Sequence, residues 1–303
     1  MTQPMIGVIG AGLMGHGIAQ AFAVAGHPVT IFESDPERRA GIRDRVRGHL
    51  ADLGQDPEAV ERITPCATLE EAVSAADVVI EAVPENLALK QRIFAAVETI
   101  APPHALLASN TSVIPITQIM APLKDRSRAM GAHWWNPPYL VPLVEVIQTE
   151  DTDPAAIAAM IDLLASIGKL PVHVRKDVPG FIGNRLQHAL WREAIALVQS
   201  GVCDAETVDR VVKASFGRRL AVLGPFENAD LVGTDLALAV HETVLPDLDR
   251  TPGPQQLLKD VVAAGHLGMK TGEGFRRWTP EKAAEVRARL DAHLAKFDAT
   301  VPD

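Results

Sequence analysis

The 303-residue chain is predicted to be an α/β protein in which a doubly wound parallel sheet is followed by an all-helical C-terminal domain. Three observations predict it. Short apolar runs alternate with helix-like segments over the first half of the chain. The first of these runs ends in a glycine-rich turn that opens a helix. Beyond Pro179-Gly180 the apolar residues change from strand-like runs to helical spacing. Two domains follow, 1–179 and 180–303, in keeping with a chain longer than the usual single domain and with its 47% hydrophobic content.

The first strand is Met5-Ile-Gly-Val-Ile-Gly10, running directly into Gly10-Ala-Gly12-Leu-Met-Gly15 and a helix from Ile18 to Ala25. In this strand, turn and helix, Gly10 suits the tight turn and Gly12 leaves bare backbone for a pyrophosphate. Gly15 lets the helix lie close to the strand, and the helix amino end offers unpaired N–H groups. Pro28-Val-Thr-Ile-Phe32 is a second strand ending at Glu33, 18 positions after Gly15 (33 − 15). This is the context a dinucleotide site demands, so the first domain is expected to be Rossmann-like. A carboxylate at Glu33 would accept from ribose hydroxyls and repel a 2′-phosphate, favouring NAD over NADP, although Arg38 and Arg39 lie near enough to keep NADP open.

Strands at Asp77–Val83, Ala105–Ser109 and Ser127–His133, with a helix over 86–99, continue the alternation. Ligands bind at the carboxyl ends of such strands, so Gly10, Glu33, Val83, Glu85, Ser109 and His133 are expected on one edge of the sheet. Glu85 and Lys90 either border the nicotinamide end of a cofactor or form an ordinary helix start with an acidic first turn.

Chemistry concentrates between Ser109 and Glu145. The stretch holds Ser109-Asn-Thr-Ser112, then His133-Trp-Trp-Asn-Pro-Pro138, then Leu143-Val-Glu-Val-Ile147. An imidazole exchanges protons near neutrality, and a carboxylate on its far nitrogen fixes the tautomer and stabilises the charged form. A strand ending at His133, a turn enforced by Asn136-Pro137-Pro138 and a returning strand carrying Glu145 would pair the two. The plainer alternative is that each is a locally satisfied polar residue at a strand edge.

A helix over 154–167, a strand at Leu170–Val174 and the segment Lys176–Arg185 lead into the second domain. Its first helix, with Leu186, Leu190, Ala194, Leu197 and Val198, is apolar enough to be expected in a buried position, as the core of a homodimer or within its own domain. Helical patterns continue to about Lys296, and Lys270–Phe275 reads as a loop closing that domain.

Composition excludes several classes. The formal net charge is 29 − 38 = −9, which disfavours nucleic-acid binding, and the arginines between Arg38 and Arg47 are interleaved with acids, as on a solvated helix face. No apolar run is long enough to span a membrane, and Met-Thr-Gln-Pro lacks the features of a secretory signal. Cys66 and Cys203 lie far apart without metal-ligand spacing, so a reducing, cytoplasmic location is expected and no metal is.

In combination these motifs resemble the 3-hydroxyacyl-CoA dehydrogenase family over nearly the whole chain. The carrying residues are Val8–Ala19, Glu81-Ala-Val-Pro-Glu-Asn86, Ser109–Ser112, His133–Tyr139, Leu143–Ile147, Lys176-Asp-Val-Pro-Gly-Phe-Ile-Gly-Asn-Arg185 and Gly224-Pro-Phe-Glu227. The resemblance implies NAD, a small-molecule L-3-hydroxy substrate, a role in fatty acid metabolism and a homodimer built on the helical domain. It implies that His133 is the catalytic base, that Glu145 orients it, and that Ser112 and Asn184 hold the substrate oxygen. The implied cofactor set is Gly10, Gly12, Leu13, Met14, Gly15, Glu33, Ala82, Val83, Glu85, Lys90, Asn110 and Asn136.

Two departures bear on the substrate. The segment between Glu33 and Glu85 is shorter than in CoA-dependent members and lacks their lysine-rich helical tip, a place that Arg38, Arg43 and Arg47 could take. His133–Pro138 and Phe216–Pro225 look more like relatives that oxidise small hydroxy acids without CoA, such as carnitine, gulonate and pyridine-carboxylate dehydrogenases. The acyl-CoA reading leads, as the family's commonest activity, with the small hydroxy acid close behind. A non-catalytic NAD-binding protein, as the lens crystallins of the family suggest, is disfavoured by the complete His133, Glu145, Ser112, Asn184 set. The β-hydroxyacid dehydrogenases related to 6-phosphogluconate dehydrogenase share the glycine start but use a catalytic lysine.

Overall fold

The computed structural model describes residues 3–296; the ends of the sequence-assigned domains, 1–2 and 297–303, lie outside them. The sheet has eight strands in the order β3-β2-β1-β4-β5-β6-β7-β8. These are β1 Ile6–Ile9, β2 Val29–Phe32, β3 Ile63–Cys66, β4 Val78–Glu81, β5 Leu106–Ser109, β6 Ala129–Trp134, β7 Leu143–Ile147 and β8 Leu170–Val174. All neighbours run parallel except β6 and β7, which are antiparallel. Strand order reverses at β1, between β2 and β4, the place where open α/β sheets bind ligands.

Both faces of the sheet are covered, so β1 and β4 are buried throughout, β1 as an unbroken apolar run and β4 as one that ends in the acid Glu81. On one face Ile6, Val8, Ile31 and Ile80 pack with Phe22 of α1 (Leu13–Val24) and with Val46 and Leu50, which lie beyond the short α2 (Pro36–Ala40) on α3 (Ile42–Asp52). On the other, Ile9, Val79 and Leu107 pack with Val73 of α4 (Leu69–Val73) and with Phe94 and Val97 of α5 (Leu87–Ile100). A short α6 (Ile116–Ile119) and α7 (Pro154–Ser166) complete the layers.

The strand β3, Ile-Thr-Pro-Cys, is not among those expected from the sequence, and it carries a proline, Pro65. Its position explains it: β3 is the edge of the sheet and pairs only with β2, where a missing N–H is tolerated.

The chain divides by contacts into one unit running to Arg185, which the chain rejoins at Leu294, and another from Leu186 to His293. The break falls just past the expected Pro179-Gly180 step, because the first turn of α8 (Gly183–Gln199) is bonded to the sheet unit through Gly183 and Asn184. The second unit is helical, with α9 (Ala205–Ala214), α10 (Pro225–Val232), α11 (Thr234–Val244), α12 (Gln256–Ala263) and α13 (Pro280–Leu294). In α8 only Asn184 is buried, and Leu186, Leu190 and Trp191 are exposed, so the helix is not buried within its own chain. Among the described residues no helix is long and apolar enough to cross a membrane.

Candidate active site

The glycine turn after β1 has the geometry its sequence required. Gly10 has φ 95°, and a Cβ there would stand 2.9 Å from the Ala82 carbonyl oxygen. A Cβ on Gly15 would run into the carbonyl oxygen of Gly10. Gly12, in contrast, faces nothing within 4 Å, so its missing side chain serves an open space rather than packing. No side chain caps the start of α1 and no acid stands in its first turn, leaving backbone N–H groups near Leu13 and Met14 for an anion. Those features fit the pyrophosphate of a dinucleotide.

Glu33, at the end of β2, accepts from Ala11 N at 3.3 Å and from Asp35 N at 3.1 Å. Arg39 Nη1 donates to the Glu33 carbonyl at 2.8 Å and Arg38 sits 3.9 Å from Asp35, so both guanidinium groups are turned to local partners.

At the end of β4, Ala82 N donates to Ile9 O and Val83 N to Glu81 Oε1, joining this strand end to the glycine turn. Lys90 is 1% exposed. Its ammonium donates to both Glu81 oxygens at 2.8 and 3.1 Å and to Val83 O at 3.2 Å, with Glu85 Oε2 also at 3.2 Å. Lys90 therefore lies beneath the crevice rather than on its surface, and reaches it only through Glu85. Glu81, a fully buried acid at the last position of an apolar strand, accepts from Ser109 Oγ at 2.6 Å. Hydropathy gives no warning of that role; the signal was the buried charge it had to meet.

Beyond β5, Asn110 Oδ1 accepts from Trp134 N at 2.8 Å and so fastens the loop to the strand that ends with the histidine. Asn136 is exposed in the turn that follows, where its bond to Pro137 is cis. Lys169 clamps this turn, donating to Pro138 O at 2.6 Å and Val141 O at 3.0 Å over the face of Trp134. Burial lowers the pKa of its ammonium to about 8.

His133 and Glu145 are direct partners across the antiparallel β6–β7 pair. His133 Nδ1 lies 2.8 Å from Glu145 Oε2. The other oxygen, Oε1, accepts from Ile182 N at 2.9 Å and Gly183 N at 3.0 Å, at the amino end of α8. Burial works to raise the pKa of Glu145, but the bonds from His133, Gly183 and Ile182 outweigh it and hold the acid below the usual carboxylate range. Glu145 is thus an ionised acceptor, so in the neutral imidazole Nδ1 is the nitrogen that carries the proton and Nε2 the one with the lone pair.

Phe181 makes this arrangement possible. It has φ 49°, a left-handed conformation that costs a non-glycine residue roughly 1–2 kcal/mol, and it turns the chain so that two successive N–H groups meet Glu145. The rings of Phe181 and Trp135 flank His133, at centroid distances of 5.6 and 5.3 Å. Asn184 Nδ2 donates to Ser112 O at 2.9 Å, so the four residues expected to act together come from β7, the end of β6, the loop after β5 and the first turn of α8. Asp177 was not foreseen as part of this set. It accepts from Ile116 N, Thr117 N and Thr117 Oγ1, tying the segment before α8 to the start of α6, which follows the loop that carries Ser112.

The family models match both parts of the chain: "3-hydroxyacyl-CoA dehydrogenase, NAD binding domain" over residues 5–178 and "3-hydroxyacyl-CoA dehydrogenase, C-terminal domain" over 180–278. Among curated relatives, 5-formyl-3-hydroxy-2-methylpyridine 4-carboxylate 5-dehydrogenase of Mesorhizobium japonicum is 37% identical over 292 residues, 93% of each chain. A probable 3-hydroxybutyryl-CoA dehydrogenase of Bacillus subtilis is 39% identical, covering 91% of this chain and 97% of its own. Among solved structures, a pyridine-carboxylate 5-dehydrogenase described as an NAD+-dependent dismutase superposes with a TM-score of 0.91 at 35% identity, over 97% of both chains. The (S)-3-hydroxybutyryl-CoA dehydrogenase of Ralstonia eutropha gives 0.76 at 34% identity, over 92% of this chain and 100% of its own. With both domain models matched in order, a glycine turn that opens α1 and a hydrogen-bonded histidine–glutamate pair, this chain belongs to the 3-hydroxyacyl-CoA dehydrogenase family.

Proposed function

We propose that the chain interconverts an L-3-hydroxyacyl-CoA and the 3-oxoacyl-CoA, using NAD. The observation that carries the reaction class is the His133–Glu145 pair with its tautomer fixed by an ionised carboxylate. In oxidation His133 Nε2 takes the hydroxyl proton while Ser112 and Asn184 hold the substrate oxygen; in reduction the imidazolium returns the proton. Bound NAD supplies the hydride acceptor. Gly10, Gly12, Leu13, Met14 and Gly15 would hold its pyrophosphate and Glu33 its adenosine ribose. Ala82, Val83, Glu85, Asn110 and Asn136 would border the nicotinamide end, with Lys90 supporting them from below. The thioester substrate and a place in fatty acid metabolism rest on the family models and the 3-hydroxybutyryl-CoA relatives.

A second reading, a small hydroxy acid without CoA, is favoured by two observations. The higher TM-score belongs to the pyridine-carboxylate enzyme. The arginines available to meet a CoA phosphate already have acidic partners, Arg38 with Asp35, Arg43 with Glu61, and Arg47 with Asp44 and Glu61. NADH formation from L-3-hydroxybutyryl-CoA and from CoA-free acids including carnitine and gulonate, with His133→Ala as control, tests both. Turnover of the thioester alone is the expected result, and turnover of a free acid alone would install the second reading. No turnover of either by protein that binds NAD would refute the oxidoreductase assignment for both.

We further propose a homodimer through the helical domain, 180–303. None of the helices α9 to α12 contains a buried residue, and Phe226, Val222 and Leu231 are 85, 75 and 70% exposed. So many uncovered apolar side chains are unusual for a monomer and suit an obligate interface. A mass of twice 32.5 kDa in light scattering is the expected result. The unpaired Cys66 and Cys203 support a cytoplasmic setting.

A further inference from the structure

The turn over residues 135–142 carries Asn136 and Trp135, whose ring flanks His133. It is held from two sides. On one it rests on α1, where a Cβ on Gly17 would stand 2.6 Å from Pro138 Cγ and 3.1 Å from the Tyr139 ring. On the other stands Lys169, in the connection from α7 to β8. Gly168 has φ 77° and donates to Ala165 O, and Lys169 N donates to Leu164 O, a left-handed helix end that fixes where the lysine stem begins. Leu170 N donates to Pro142 O at 2.9 Å, joining the next residue to the end of the turn.

Leu140 N and Val141 N both donate to Pro137 O at 3.0 Å, so the turn forms one helical loop of its own. Among the described residues no backbone N–H reaches Pro138 O or Val141 O. Lys169 Nζ donates to both, at 2.6 and 3.0 Å, and stands 5.4 Å from the centroid of the buried Trp134 ring. No carboxylate among the described residues pairs with it. A buried ammonium without a counter-ion costs stability that an apolar side chain of the same length would not, so the charge is there for the two carbonyls.

We propose that Lys169 is a positioning residue for catalysis: its ammonium grips the turn by two backbone oxygens and so sets Trp135 beside His133 and Asn136 at the nicotinamide end of the cofactor. The inference rests on the reading of His133 as the base. The other ionisable groups around Lys169 are Asp52 of α3 and Tyr139 of the turn, which line with it a cavity of about 410 Å³, and His49, stacked on Tyr139 at 4.5 Å; α1 presents the neutral Gln20 there. Burial alone brings the ammonium to a pKa of about 8. Above that pH a neutral amine donates more weakly and the grip slackens. The unfolded chain holds the same proton more tightly, so losing it works to stabilise the fold, and a falling rate there reports position rather than unfolding.

The test uses the full-length protein and Lys169→Met, which keeps the stem and removes the charge. Measured are kcat at saturating substrate, NADH affinity by fluorescence titration, and amide hydrogen exchange at Leu140 and Val141. Expected for the variant are a loss of kcat of about ten- to hundredfold, NADH affinity within about threefold of wild type, and faster exchange at both amides. Wild-type kcat should fall above about pH 8, and the variant should lack that fall. A variant rate within about twofold of wild type, an alkaline fall that survives in the variant, unchanged exchange, or a loss of NADH affinity equal to the loss of rate would each overturn the proposal. If wild type turned over neither a thioester nor a free acid, the functional reading would fail and this inference with it, whereas faster exchange at wild-type rate refutes the positioning role alone. Should Lys169→Met not fold, wild type carries the test. Protection of Leu140 and Val141, corrected for intrinsic exchange, should then fall together with kcat between about pH 7 and pH 9, and constant protection would overturn the proposal.

Discussion

Replacing Glu145 with glutamine tests how the base is made. Glu145 serves three donors, one from His133 and two from the start of α8. A glutamine offers one carbonyl oxygen and one NH2, so it must choose. With the oxygen toward His133, its NH2 opposes both Ile182 N–H and Gly183 N–H, leaving two buried donors unsatisfied at about 1–3 kcal/mol each. With the oxygen toward α8, its NH2 faces Nδ1, which must then accept, and the proton moves to Nε2. The second arrangement is favoured by roughly 2–6 kcal/mol, so the competent tautomer falls to between about 3% and 0.004% of the protein. The expected loss in kcat is thus roughly 30-fold to 3 × 10⁴-fold, before any loss of support for the imidazolium. Single-turnover NADH formation measures it, alongside NADH affinity and a melting curve, both of which should stay near wild type. A rate within threefold of wild type, or an equal loss of cofactor affinity, would refute this account of the pair.

Three further outcomes follow from the geometry. Gly12→Ala should weaken NAD about tenfold or more, with unfolding free energy within about 0.5 kcal/mol of wild type, because its Cβ enters only open space; Gly15→Ala, whose Cβ meets the Gly10 carbonyl, should lose about 3 kcal/mol in urea denaturation. Gly183→Ala should displace Trp135, whose ring fills the space a Cβ would take, or lift the start of α8 from Glu145, lowering kcat/KM about tenfold or more in steady-state kinetics. His16, buried with Nδ1 on Gly12 O, has its pKa lowered chiefly by burial. The unfolded chain therefore takes up that proton first, and stability should fall as the pH drops below about 6.5, a slope that His16→Gln should reduce in urea midpoints measured from pH 7.5 to 5.5.

Most of the sheet and the pairing of His133 with Glu145 could be read from the sequence, because the signals were local. Alternation marked the strands, glycines at fixed offsets marked the turn, and a histidine, a proline-enforced turn and a glutamate on the returning strand implied one hairpin. What could not be read depends on distant partners. β3, a four-residue stretch with Pro65 in it, carries little local strand signal, and its place at the edge of the sheet is what accommodates the proline. For Lys90 the sequence left open a cofactor border or an ordinary helix start, because nothing local shows that Glu81 and Glu85 converge on its ammonium. The apolar residues of α8 implied burial, but periodicity cannot say whether the covering surface belongs to the same chain.

The β6–β7 pairing puts His133 and Glu145 opposite each other on one antiparallel ribbon. Register, rather than the length of the connection, sets their meeting. The turn over residues 135–142 could then be lengthened, shortened or recomposed to reshape the mouth of the crevice, while a slip of a single residue in the ladder would send Glu145 to the opposite face. Substrate range and proton chemistry are separable in this architecture, and a family could diversify the first by rebuilding a loop while the second stays fixed in the ladder.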